Sequence, residues 1–195
     1  MELRSDMVGV ILAGGKSSRM EKDKALLLLD GETFINRISN LLKDNFHSSI
    51  IITDKDEEYY SADLKIHHDI YKSCGPLGGI HSALVNAEAE SVFIISCDLP
   101  VITADIIRQL LIHSADVVVP SYKNIIQPLC GIYRRSLLPS LETFLNNGGR
   151  KVHDFIKAVN SIVVPFDSLN FSVNPFMSIN TPEQYEAFIS EAVRD

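Results

Sequence analysis

The feature that most constrains this chain is a continuous apolar run, Val8-Gly9-Val10-Ile11-Leu12-Ala13, that ends on the glycine pair Gly14-Gly15. A strand with one wet face alternates apolar and polar residues, whereas a run apolar throughout needs cover on both faces, as in a parallel sheet between helices. Ser49 to Thr53 and Val92 to Ser96 read the same way, with shorter strands at Lys65 to His68 and Val117 to Val119, the last stopped by Pro120. Between them lie helical patterns. Thr33 caps a helix whose apolar positions are Phe34, Ile35, Ile38, Leu41 and Leu42. A short helix is expected over Asp56 to Tyr60, one from about Ile80 to Glu88 behind the loop Ser73 to Gly79, and one from Ala104 to His113 capped by Thr103.

Ala25 to Leu29 is a further apolar stretch, closed by the turn pair Asp30-Gly31. Towards the C-terminus the spacing predicts a strand over Gln127 to Tyr133, helices over Ser136 to Asn146 and Lys151 to Val159, and an extended Ile162 to Val164. Thr181 as cap and Pro182 in the first turn open a last helix running to about Val193. Alternating strands and helices predict a three-layer α/β domain with a mostly parallel central sheet. No repeat or long linker divides the chain, so one domain over residues 1–195 is expected.

The net charge of −7 does not favour a nucleic-acid partner, so any phosphate site has to be local and concave. No apolar run reaches the ~18 residues of a membrane span. The N-terminal Met1 to Asp6 lacks the basic start of a secretory signal, and the expected location is cytoplasmic. Cys74, Cys97 and Cys130 are far apart and form no CxxC pair, which predicts buried, reduced thiols. His67-His68, His81 and His153 lack the spacing of a metal site and read as structural.

In an open α/β sheet, ligands lie outside the carboxyl ends of the strands, and the segment Gly14 to Lys24 leaves such an end. Gly14 and Gly15 allow close backbone approach. Successive N–H groups make an anion cradle, and Ser17, Ser18, Arg19 and Lys24 add donors and charge. Spacing excludes two rival motifs. A P-loop through Lys16-Ser17 would need glycine where Val10 stands, and no third glycine completes a dinucleotide fingerprint.

Asp98 ends the third strong strand in Cys97-Asp98-Leu99-Pro100, where a carboxylate can hold Mg²⁺ on a polyphosphate or cap the turn. Asp69 suits ribose, metal or substrate, or an Asx turn. Asn180 suits a metal or substrate, or the start of the last helix. Arg134, Arg135, Arg150 and Lys151 are candidates for an acceptor's phosphate or plain surface cations.

The run LAGGKSSRMEKDKALL resembles the LAGGxSxRMGxDKxLL pattern of molybdenum cofactor guanylyltransferases. So do His68-Asp69 followed by Gly75-Pro76-Leu77-Gly78-Gly79, Cys97-Asp98-Leu99-Pro100, and Asn180-Thr181-Pro182-Glu183. The resemblance covers nearly the whole chain. It implies a Rossmann-like nucleotidyltransferase fold and transfer of GMP from GTP to molybdopterin, releasing pyrophosphate. It implies a nucleotide bound by Leu12, Ala13, Gly14, Gly15, Lys24, Asp69, Gly78 and Asp98, with Lys24, Asp98 and Arg19 catalytic. Mg²⁺ would be held by Asp98 and Asn180. Residues from about 1 to 120 would take the nucleotide and those from about 121 to 195 the acceptor. Transient contacts with cofactor-biosynthesis or insertion proteins are implied too.

Two positions depart from the family. Glu21 stands where its pattern has glycine, and Thr53 follows the second strand where guanine-binding members often have asparagine. A cytidylyl- or sugar-phosphate nucleotidyltransferase and a non-catalytic nucleotide-binding regulator are the alternatives.

Overall fold

The computed structural model describes residues 4–14, 23–55, 62–169 and 171–192. The helix expected over 56–60 lies outside them. The apolar run forms β1 (Arg4–Leu12) at the middle of the main sheet. It pairs in parallel with β4 (Phe46–Ile52) on one side and β6 (Ser91–Ser96) on the other, and β5 (Lys65–His67) continues in parallel beyond β4. Beyond β6 lies β9 (Cys130–Arg134), antiparallel to both β6 and β7 (Val117–Tyr122); β10 (Ser161–Pro165) closes the order in parallel with β7. The sheet is thus mostly parallel, as the sequence pattern predicts; β9 and the two-residue β8 (Ile125–Ile126), which pairs with β7, run against it.

Helices cover both faces. On one face, α1 (Phe34–Lys43) buries Ile35, Ile38 and Leu42 over β1 and β4, and α3 (Ala104–Leu111) buries Ile106, Ile107 and Leu110 over β7 and β9. Stacked Phe46 and Phe93, with centroids 5.5 Å apart, fill this layer. On the other face α2 (Pro76–Asn86), α4 (Leu138–Asn146) and α5 (Val152–Ala158) contribute Leu77, Ile80, Leu141, Leu145 and Phe155. Complete burial of one such large apolar side chain contributes about 1.5–3 kcal/mol. The strands are apolar on both faces because both faces are covered.

Three expectations are corrected, and one unassigned apolar stretch finds its place. The helix expected from Ile80 begins at Pro76, whose fixed φ and missing N–H suit a first turn. The apolar stretch Ala25 to Leu29 is no strand of the main sheet. Lys24–Leu26 is one 3₁₀ turn, and β2 (Leu28–Leu29) folds back on β3 (Glu32–Thr33) through Asp30-Gly31. Leu26 and Leu28 are exposed, whereas Leu27 and Leu29 join a third cluster with Phe34, Ile179 and Phe188, the last on α6 (Pro182–Ala192).

Pro120 does not stop its strand. Its carbonyl accepts from the Gln127 amide at 2.9 Å, so the missing N–H faces a side where pairing with β9 has already ended at Val118. The strand expected over Gln127 to Tyr133 is shortened to β9, preceded by a two-residue β8 (Ile125–Ile126) that pairs back on β7.

Candidate active site

The strand order reverses beside β1. The chain passes from β1 through α1 to β4 on one side, and later through α2 to β6 on the other. At such a switch point the connections leave in opposite directions and open a crevice at the carboxyl edge. Leu12, Ala13 and Gly14 stand there. The Leu12 carbonyl accepts from the Cys97 amide at 3.1 Å, which ties the end of β1 to the end of β6.

Asp98 follows β6 and is half-buried. Ser178 Oγ donates to its Oδ2 at 2.6 Å, and the Ile179 amide donates to its backbone carbonyl at 3.3 Å. Two residues on, Asn180 Oδ1 accepts from Lys24 Nζ at 2.5 Å. The segment 178–180 therefore fastens both Asp98 and Lys24 at one edge of the sheet. Ser178 gave no signal in the sequence because it is a lone serine outside any motif. The neighbouring Cys97 thiol is driven up in pKa, first by burial and then by Asp98 and Asp23, so it stays protonated. All three cysteines are buried and free, as expected.

The glycines of the two motifs have different causes. Gly75 sits at φ +59°, a conformation closed to most side chains. Gly78 is packed, since a Cβ there would lie 2.6 Å from the Tyr71 carbonyl oxygen. Gly14 has neither reason. Its φ is not positive, and a Cβ would meet no described atom within 4 Å. Among the described residues nothing in the protein demands glycine at 14, which fits a backbone that a ligand must approach.

Asp69 follows β5. Its Oδ1 is buried with no hydrogen-bond partner among the described residues, an acceptor suited to a donor from a bound ligand. Burial, and then Asp54, raise its pKa, while Lys72 and Ser82 oppose them.

The other anticipated cations lie elsewhere. Arg134 and Arg135 stand at the end of β9, opposite the start of β6, on the far edge of the sheet. Arg150 caps α4 by donating to the Leu145 carbonyl at 2.9 Å. Gly15, Arg19 and Glu21 lie outside the described residues. His81 is buried against Glu142 and Tyr71.

No cluster of three or more His, Cys, Asp or Glu side chains able to hold a metal exists among the described residues. Mg²⁺ rarely needs one, because it keeps water and phosphate oxygens and takes one or two protein oxygens. Asp98, with one carboxylate oxygen committed to Ser178, fits that need. Asn180 supplies the same hard-oxygen chemistry, but its Oδ1 already accepts from Lys24.

Residues 9–162 match the MobA-like NTP transferase domain family. A probable molybdenum cofactor guanylyltransferase of Carboxydothermus hydrogenoformans is 38% identical over 92% of this chain and 93% of its own length. One from Clostridium perfringens is 36% identical over 93% and 95%. The crystal structure of molybdopterin-guanine dinucleotide biosynthesis protein A from Archaeoglobus fulgidus superposes with a TM-score of 0.81. It covers 96% of this chain and 100% of its own, at 20% identity.

Proposed function

We propose, from the premise that the chain belongs to the MobA-like NTP transferase family, that it transfers GMP from GTP to molybdopterin, with or without molybdenum bound, and releases pyrophosphate. The observation that carries this reading is the joint fastening of Lys24 and Asp98 to residues 178–180, beside the open Gly14 backbone at the switch point.

In the reaction a phosphate oxygen of the acceptor bonds to the α-phosphorus, the bond from that phosphorus to the bridging oxygen of the β-phosphate breaks, and the electron pair leaves with pyrophosphate. The acceptor's phosphate monoester is largely ionised near neutrality, its second pKa being ~6, so no general base is required. Catalysis then reduces to placing the groups and balancing charge. Leu12 to Gly14 receive the nucleotide with the backbone, and Lys24 lays an ammonium on its phosphates. Asp69 Oδ1 accepts from a nucleotide hydroxyl or amine, with Gly79 of α2 close beside it, while Gly78, packed on the Tyr71 carbonyl, is assigned to the nucleotide by motif alone. Arg19 and Gly15 are assigned to the phosphates by motif alone.

Asp98 would hold Mg²⁺, which when bound neutralises phosphate charge. Asn180 joins it only if Lys24 moves from its amide oxygen to the phosphates. The acceptor is assigned to the half from about residue 121, which already supplies Ser178 and Asn180 to the shared edge. No helix among the described residues is long and apolar enough to cross a membrane.

Thermal unfolding with GTP, CTP, ATP and UTP, each with Mg²⁺, tests the reading. A nucleotide at about 100 times its Kd adds ~2.7 kcal/mol, enough to shift the midpoint visibly. A shift with GTP alone, followed by pyrophosphate release when molybdopterin is added, is expected. A shift with CTP in preference would replace guanylyl by cytidylyl transfer. GTP binding without pyrophosphate release would leave a regulator.

A further inference from the structure

Lys24 and the Leu12–Gly14 backbone must stand at one separation to grip a single triphosphate, yet chain connectivity does not set it. Fully extended, the chain between Gly14 and Asp23 could reach about 30 Å. Among the described residues, Thr53 and Lys55, just after β4, carry cross-links to both sides.

Thr53 is 1% exposed, with its hydroxyl bonded on both sides. It donates to the Ala13 carbonyl at 2.9 Å and accepts from the Lys55 amide at 3.1 Å. Lys55 Nζ in turn is ion-paired with Asp23 Oδ2. The Asp23 side chain is only 9% exposed, and its other oxygen accepts from the Ala25 amide at 3.0 Å, capping the turn that begins with Lys24. One short segment thus holds the residue before Gly14 and the residue before Lys24.

That segment is anchored from behind as well. The Thr53 amide donates to the His67 carbonyl at 2.9 Å, His68 Nδ1 lies 2.9 Å from the Thr53 carbonyl, and Lys72 pairs with Asp54 at 2.5 Å.

We propose that Thr53 and Lys55 are positioning residues: by tying Ala13 and Asp23 to one rigid segment, they fix Lys24 relative to the Leu12–Gly14 backbone across the nucleotide site. The proposal rests on the nucleotide reading given above. It also assigns Thr53 a task other than reading the base. A hydroxyl spent on Ala13 and Lys55 inside the protein has no exposed face to offer guanine.

Two measurements on the full chain test it. The first needs no nucleotide: hydrogen exchange at the Ala25, Leu26 and Leu27 amides, which bond to Asp23 and Lys24. Lys55→Met should speed exchange there about tenfold and leave the α1 amides of Ile38 to Leu42 at their wild-type rates; Lys55→Arg should restore protection. The second is steady-state GTP turnover. Lys55→Met and Thr53→Val should each raise KM for GTP about tenfold with kcat changed less than about threefold, and Thr53→Ser should stay near wild type.

The effects of Asp23→Asn and Lys55→Met on KM should be clearly less than additive in the double variant, because the two side chains share a link. Unchanged exchange in Lys55→Met, exchange raised equally in α1, or a wild-type KM in folded Lys55→Met would each overturn the proposal. Wild-type protein that neither binds nor turns over GTP would instead sink the nucleotide reading, while the nucleotide-free exchange would still decide whether the clamp exists.

Discussion

The two edges of the central sheet both carry charge, but they are built differently. At the carboxyl edge Lys24 reaches Asn180, Ser178 reaches Asp98 and Lys55 reaches Asp23, contacts that join segments far apart in the chain. At the amino edge, around the start of β6 and the end of β9, lies an open pocket of about 1100 Å³ lined by Glu88, Glu90, His113, Arg134 and Arg135. Arg134 there bonds Ser114 from an exposed position, and Ser136 stands 3.5 Å from Asp116. Charge alone does not distinguish the edges. What distinguishes them is that the carboxyl edge spends long-range, partly buried bonds on holding polar side chains in place. Ordering such side chains costs conformational entropy and desolvation, and is sustained where geometry matters.

The largest effect should come from the residue held most firmly for chemistry. Asp98→Asn keeps the size of the side chain and its contact with Ser178 but removes the charge. Pyrophosphate release should fall about a hundredfold to a thousandfold with the fold intact, and Lys24→Ala should fall comparably. Wild-type turnover in either variant would reduce the carboxyl edge to a structural network like any other.

Gly14→Ala separates ligand from protein more sharply. Since a Cβ at Gly14 meets no described atom, the thermal midpoint should stay within about a degree of wild type. The Kd for GTP should rise about tenfold or more. A lowered midpoint with an unchanged Kd would mean that the glycine serves the protein.

Asp69 gives a smaller, opposed pair of effects. Its pKa is raised in the folded chain, chiefly by burial. Between the ordinary aspartate value of 3.8 and that raised value the folded chain holds more protons than the unfolded one, so stability falls as pH rises through this window and stays lower above it. Asp69→Asn removes the penalty. The variant should melt higher than wild type at pH 7, with a smaller gain at pH 4, while binding GTP more weakly. Equal midpoints across that range would show that the carboxylate is paid for elsewhere in the fold.

Much of the carboxyl edge is legible in the sequence because it follows from backbone rules. An apolar run predicts a covered strand, a covered strand predicts a parallel sheet, and residues just past the strand ends, Gly14, Asp69 and Asp98, lie at the crevice. The irregular parts are not legible in this way. Ala25 to Leu29 has the apolarity of a strand, but only Leu27 and Leu29 join the third cluster, and their partners Ile179 and Phe188 lie far along the chain. Pro120 looks like a stop until the side of its missing N–H is known. Ser178 and Lys55 carry no motif, and Thr53 stands out only as a departure from one, because their contacts are with partners up to 80 residues away.

The smallest effect is expected at the amino edge. Arg134→Ala and Arg135→Ala, singly or together, remove cations that the sequence offers as candidates for an acceptor's phosphate. Both are exposed, and Arg134's side-chain partner is the exposed Ser114. Such surface contacts contribute about 0.5 kcal/mol or less, so stability should barely move. The acceptor is expected to approach the α-phosphorus from the carboxyl edge, so its KM should stay within twofold of wild type. A tenfold rise in the KM for molybdopterin, with the KM for GTP unchanged, would bring the amino-edge pocket into the reaction. It would also show that the sheet uses both its ends, one for each substrate.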